Sequence, residues 1–409
     1  MSKQGVYDIA IIGGGAAGLT AASFAAQEGL QVVVLERMAQ PGQKIALSGG
    51  GRCNVLPTEV DAEQYVTDSS KFTVRNILRS WPLEEVRSYL TDELGVVIRE
   101  DADTGKLTVR GGGEELKKRL LSSIRARKGI VRTDSEITKI RRSKPFELTL
   151  GKGGRVNAKR IILACGGFSY PETGSDGSGW DLARASGHEI VPAYPALTSL
   201  VGARPSHRNL AGITIDATVT ARSPEGEAIA RSGFLFTHRG YSGPAVLNTS
   251  HIVARARQHR MEAEVFVSWT DHDAEAWRSL LSGGKRTVRG VLIREMPDRL
   301  ADLLLNELQL HDVRVATLPR DARDMLIRAL TQYRLSITRN DGFHAAEVTG
   351  GGVPLSELTT KSLESKHVPG VYLCGEMLDV FGPVGGFNFL WAFVTGRCAG
   401  SSAASSLSE

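Results

Sequence analysis

Apolar positions run through this chain in two rhythms. Residues 6–12 form a short β-rich apolar run, and after a glycine cluster at 13–18 Leu19, Ala22, Ala25 and Ala26 recur at helical spacing, closed by Gly29. Residues 31–35 read as a second strand ending on Glu36. The strand-then-glycine pattern returns at 161–163, before Ala164-Cys165-Gly166-Gly167, and at 371–374, before Gly375-Glu376. Between these two, 211–220, 234–236 and 263–269 are short β-rich stretches, whereas 271–334 turns helical, with Pro319 opening its last helix. The pattern predicts an α/β protein with a discontinuous Rossmann-like domain, residues 1–191 and 345–409. Its interruption is read as a β-barrel-like subdomain at 192–270, with a return near 335–345, plus a small helical subdomain at 271–334.

The first unit carries a specific motif. Strand, Gly13-x-Gly15-x-x-Gly18, helix, strand and Glu36 follow one another, with the acid close to the expected spacing of about 20 residues. Gly13 permits the tight turn, Gly15 lets backbone approach a pyrophosphate, and Gly18 lets the helix pack on the strand. Ala16 and Ala17 lie at the helix N-terminus that faces the phosphates, and Glu36, beside Arg37, would accept hydrogen bonds from an adenosine ribose. This motif does not separate FAD from NAD. The far end of the chain does: Gly375-Glu376, then Gly385-Gly386-Phe387-Asn388 opening a helix, supply an acid and a helix N-terminus suited to a flavin's ribityl chain and pyrimidine edge. Small residues within that helix, Gly396 and Gly400, read as close packing. Two further glycine loops, around Gly166 and through Gly42, Lys44, Ser48, Gly49, Gly51, Arg52, Cys53 and Asn54, leave the same end of the fold. Their backbone can approach a ring, and Lys44 or Arg52 can meet a phosphate or substrate anion.

Composition narrows the class. Of 409 residues 45 are Gly, about 11% against the usual 7%, and the clusters above account for many of them. Four cysteines without a Cys-x-x-Cys pair exclude a disulfide scaffold and a zinc finger; no metal site is expected, and a reducing, cytoplasmic compartment fits. Residues 1–8 show no secretory pattern, and the uncharged stretch 9–27 is too rich in Gly, Ala, Ser and Thr to argue for a membrane span. The net charge of +5 is uneven: residues 117–160 hold fifteen Lys and Arg against three acids. Leu116, Leu120, Leu121 and Ile124 form a helical stripe that leaves Lys117, Lys118, Arg119, Arg125, Arg127 and Lys128 on a solvated side. That side reads either as an ordinary charged face or as a contact for RNA phosphates, with no RNA-module motif or aromatic cluster beside it.

Taken together, the blocks at 13–18, 42–54, 236–244 (Phe-Thr-His-Arg-Gly-Tyr-Ser-Gly-Pro), 349–353 (Thr-Gly-Gly-Gly-Val) and 375–388 resemble the BaiN/RdsA family of FAD-dependent oxidoreductases over essentially the whole chain. Ser-Gly-Gly-Gly-Arg-Cys-Asn, 48–54, is the most specific of them. The resemblance implies a flavin domain split by a β-rich and a helical insert. It also implies reduction of a carbon–carbon double bond, in a steroid-like acid or in a uridine of large-subunit ribosomal RNA. Phe381, Leu390 and Leu56-Pro57 stand where the family carries polar residues, so any pocket they line is less polar here.

Two side chains are candidate proton donors. His238, in Thr-His-Arg-Gly, reads either as a donor to a substrate carbon or as a loop histidine bonded to backbone. Cys53 resembles the redox cysteine of flavin disulfide reductases in position, but no partner cysteine follows nearby, which leaves a lone thiol. No second strand–glycine–helix fingerprint exists, because Gly111-Gly112-Gly113 lacks the third glycine of the motif and 151–154 is a hairpin. A reducing NAD(P)H must therefore dock transiently. Three functions stay open: a reductase of an activated double bond, an oxidase or amine dehydrogenase, and a flavin-stabilised protein that binds ribosomes without turnover.

Overall fold

A computed structural model describes residues 5–26, 29–101 and 105–408. The chain divides into two compact units, residues 1–193 with 347–409, and residues 194–346.

In the first unit, Tyr7–Ile12, Val32–Leu35 and Ile130–Arg132 lie side by side as parallel strands, each almost wholly apolar where it is central. Such runs, buried on both faces, are typical of parallel sheets covered by helices. On its other edge Tyr7–Ile12 pairs in parallel with the nine-residue strand Arg155–Leu163. This strand changes partners along its length. Its first half pairs antiparallel with Phe146–Leu150, which continues to Ile137–Arg141, and its second half pairs in parallel with Val371–Leu373. Covering the sheet, helix Ala16–Ala25 packs against the C-terminal helix Phe387–Ser405. The contact needs glycine: a Cβ on Gly396 would lie 2.5 Å from the Ala17 carbonyl oxygen, and one on Gly400 2.3 Å from that of Ala21. The small-residue stripe is a packing surface.

The second unit has a seven-stranded antiparallel sheet that runs from Tyr333–Arg334 through Glu264–Ser268, Thr214–Ser223, Gly226–Phe236, Gly240–Ser242 and Leu200–Gly202 to Ile337–Asn340. Helices Ala274–Leu280, Val288–Leu292, Asp298–Leu308 and Arg320–Thr331 follow in the stretch that reads as helical. One helix departs from expectation. Pro244–Gln258 falls inside the segment that reads as β-rich, and it buries Thr249, Ser250 and His251 along with its alanines and valines. Polar residues on its buried side erase the periodicity that would have announced it. Among the described residues no helix is long and apolar enough to cross a membrane.

Candidate functional site

The glycine-bearing ends of the strands lie level. Ile12 is opposite Leu35 on one side and Leu163 on the other, and Leu163 is opposite Leu373. Residues 13–18, Glu36, 164–167 and 375–376 therefore all leave the carboxyl edge of one sheet, where open α/β sheets bind their ligands.

At the first strand end, Gly13 turns at φ +106°, and a Cβ on Gly18 would sit 1.9 Å from the Gly13 carbonyl oxygen. Gly15 differs, because a Cβ there would meet nothing within 4 Å. Helix Ala16–Ala25 starts at Gly15 with no side-chain cap and no acid in its first turn. Its leading amides and dipole are thus left for an anion. Glu36 is buried, and its carboxylate accepts from the Gly14 amide at 2.7 Å and the Met38 amide at 2.8 Å. Burial outweighs those bonds and raises its pKa. Arg37 turns to the neighbouring loop, with Asp176 at 2.5 Å, Ser178 at 3.2 Å and Glu136 at 3.3 Å.

A second cluster forms at the last strand end. The Glu376 carboxylate accepts from Lys44 Nζ at 2.7 Å, Ser169 Oγ at 2.6 Å and the Thr349 amide at 2.9 Å, and Lys44 also reaches Ser169. Burial alone would raise the pKa of Glu376, but Lys44, Ser169 and the Thr349 amide reverse that and hold it below its ordinary value. Thr349 Oγ1 in turn accepts from the amides of Phe168 and Ser169. The loop after Gly166, the Lys44 segment and the C-terminal strand end are thereby tied together. Thr349 lies in the 349–353 block and Ser169 just beyond Gly166-Gly167; no spacing gives either a role, and only their three-dimensional partners supply one.

The 42–54 block, expected as loop, is partly helical: Gln43–Leu47 is a short helix and Ser48–Gly51 a tight turn with Gly49 and Gly50 left-handed. Ser48 Oγ donates to the Ile45 carbonyl, and Asn54 begins a strand paired with Thr108. Arg52 extends into solvent, its nearest carboxylate Asp101 at 3.6 Å. Cys53 is fully buried, and burial pushes its thiol up to about 11. Gly385 is open, with nothing within 4 Å of an added Cβ, whereas Gly375 and Gly386 press against Ala17 and the Leu56 backbone. Phe387, buried, begins the last helix, and its carbonyl accepts from the Tyr65 hydroxyl at 3.1 Å. Asn388 uses its amide to hold Gly382, accepting from its N–H and donating to its carbonyl, both at 2.9 Å. Leu56, Pro57, Phe381 and Leu390 are buried, so their apolar character is met by packing. In the second unit, His238 is exposed in the turn between Gly226–Phe236 and Gly240–Ser242.

The basic segment is less free than its composition suggests. Lys117 is a correction to the solvated face: its side chain is 13% exposed, pairs with Glu114 and lies against Gly42. Arg119, Arg127, Arg141, Lys152, Arg155 and Lys159 have carboxylate partners. Lys118, Arg125, Lys128, Lys139 and Lys144 are exposed and without an ion pair among the described residues.

The "HI0933-like protein Rossmann domain" family matches residues 7–402. The ribosomal RNA dihydrouridine synthase of Escherichia coli is 30% identical over 95% of both chains. The 3-dehydro-bile acid delta(4,6)-reductase of Clostridium scindens is 33% identical over 97% of this chain and 98% of its own. Among solved structures, 3-ketosteroid-delta4-(5alpha)-dehydrogenase from Rhodococcus jostii superposes with a TM-score of 0.51 at 15% identity, covering 99% of this chain and 98% of that one, which is a likeness of fold. With its fingerprint, its level strand ends and these relatives in agreement, the chain belongs to the HI0933-like Rossmann family, the BaiN/RdsA-type FAD-dependent oxidoreductases.

Proposed function

We propose that this enzyme reduces an activated carbon–carbon double bond with electrons from NADH or NADPH. One observation carries the reaction class. Two of the curated relatives are named for different molecules, a ribosomal RNA and a bile acid, yet both names describe saturation of a double bond. When bound, FAD supplies the hydride acceptor and donor for that chemistry.

The residues fit that cofactor. The uncapped first turn at Gly15, Ala16, Ala17 and Gly18 offers amides to the pyrophosphate, and the open Cβ position at Gly15 leaves room for it. Glu36 keeps lone pairs beyond the two used by Gly14 and Met38, which suits ribose hydroxyls. Lys44, Glu376 and Arg37 are engaged with protein partners, which suits them to holding the rim loops in place. The open backbone at Gly385 and the N-terminus of the last helix suit the flavin end, and solvent-exposed Arg52 suits an anionic substrate or nucleotide. Cys53, which stays a protonated thiol at neutral pH, and His238 are the two proton-donor candidates. The ribosomal uridine is the substrate favoured by the exposed cations Lys118, Arg125, Lys128, Lys139 and Lys144.

Anaerobic mixing of the flavin-loaded protein with NADH and NADPH tests the reaction. Rapid bleaching by either supports it, and no bleaching by both overturns it. Replacing the true proton donor, in Cys53→Ala or His238→Ala, leaves bleaching intact and slows flavin reoxidation by substrate. Nucleoside analysis of ribosomal RNA from a deletion strain decides the substrate, since unchanged dihydrouridine removes the RNA arm.

A further inference from the structure

We propose that His188, Glu357 and His367, in the first unit, form a binding site for one divalent transition-metal ion of the zinc class, against the expectation from cysteine spacing. Their ligand atoms lie within 4.8 Å of one another. Glu357 Oε2 is 2.6 Å from His188 Nδ1 and 3.5 Å from His367 Nε2, and the two rings meet edge to face with centroids 4.9 Å apart. Ligands held at 2.0–2.2 Å around a tetrahedral ion sit roughly 3.3–3.5 Å from each other. The His367 separation already matches, and the His188 separation has to open by about 0.8 Å, the space an ion takes when it replaces a hydrogen-bonded proton.

The site is organised before any ion arrives. Glu357 and His367 flank a short excursion closed by the Leu358–Ser365 bridge, and the Lys366 amide donates to the Glu357 carbonyl at 3.0 Å. Ser365 Oγ accepts from the His367 and Val368 amides. His188 follows helix Ser178–Ala185 and is wholly buried in its side chain, Glu357 is nearly so, and His367 is 41% exposed. Two inner ligands and one outer ligand leave a face toward solvent for a water. Two imidazoles and one carboxylate suit zinc, nickel or cobalt, whereas magnesium and calcium prefer oxygen ligands throughout.

The ion would join residue 188 to the segment leading into strand Val371–Leu373. Flavin-loaded protein stripped of metal and titrated with zinc chloride by calorimetry provides the test, with thermal unfolding in parallel. One equivalent should bind, and Tm should rise by about 5 °C at hundredfold excess over Kd, with no response to magnesium. His367→Ala, at an exposed position, should retain its flavin and lose at least tenfold in zinc affinity, and His367→Cys should restore it. Absence of binding to the wild type, or unchanged affinity in His367→Ala, overturns the proposal.

Discussion

Glu36 and Glu376 each follow a strand of the same sheet, one buried and the other largely so, and their carboxyl groups are driven in opposite directions. Glu36 meets only backbone amides, and burial wins, raising its pKa. Glu376 faces a lysine, a serine and an amide, and these win over burial. The first strand end is a surface of open backbone with an acid in reserve. The last is a closed knot whose charge is spent on holding three segments together. An acid after a strand is thus not one signal but two, and its partners decide which.

The steric side of this contrast should give the largest effect. Gly18→Ala forces a Cβ into the Gly13 carbonyl oxygen and should cost about 3 kcal/mol, with loss of flavin, read by Tm and by cofactor released on heating. A protein of unchanged Tm would break the claim that the first strand end depends on that approach. Next, Lys44→Met leaves Glu376 without its cation. It should cost about 2 kcal/mol by denaturant unfolding, at the low side for a sheltered pair because both side chains keep some exposure. A third test uses pH. Glu376 titrates below 4.5, so its contribution is complete above about pH 4.5 and fades as pH falls through its lower folded value. Glu36 titrates above 4.5, so its contribution is complete below that and is lost as pH rises through its folded value. As pH rises from 3 to 7, the gap in Tm between wild type and Glu376→Gln should therefore widen, mostly below pH 4.5, and that for Glu36→Gln should narrow above it. Parallel trends would erase the comparison. The smallest effect on stability belongs to Gly15→Ala, within about 0.5 kcal/mol because its Cβ meets open space, while flavin retention should drop measurably.

Much of the first strand end was legible in the sequence, because its logic is local: Gly13, Gly15, Gly18 and Glu36 lie within one βαβ unit. The knot at the last strand end was not. Lys44 and Glu376 are 332 residues apart, and no spacing rule joins them. The cluster of Gly111-Gly112-Gly113 was read only as a failed fingerprint, yet a Cβ on Gly113 would lie 2.0 Å from the Ile45 carbonyl oxygen, so it seats a helix against the 42–54 block. Helix Pro244–Gln258 escaped because its buried side includes Thr249, Ser250 and His251. Sequence pattern reports what a residue prefers, and these positions are governed by what distant backbone puts beside them.

Strand Arg155–Leu163 also sets an order of events during synthesis. Its first half finds its hairpin partner at once in Phe146–Leu150, whereas its second half waits for Val371–Leu373, more than two hundred residues later. Until those residues leave the ribosome, the side of residues 161–163 that they will cover is an unpaired apolar edge, open to pairing with other chains. Nascent chains stalled before residue 371 should therefore be the form of this protein most in need of chaperones.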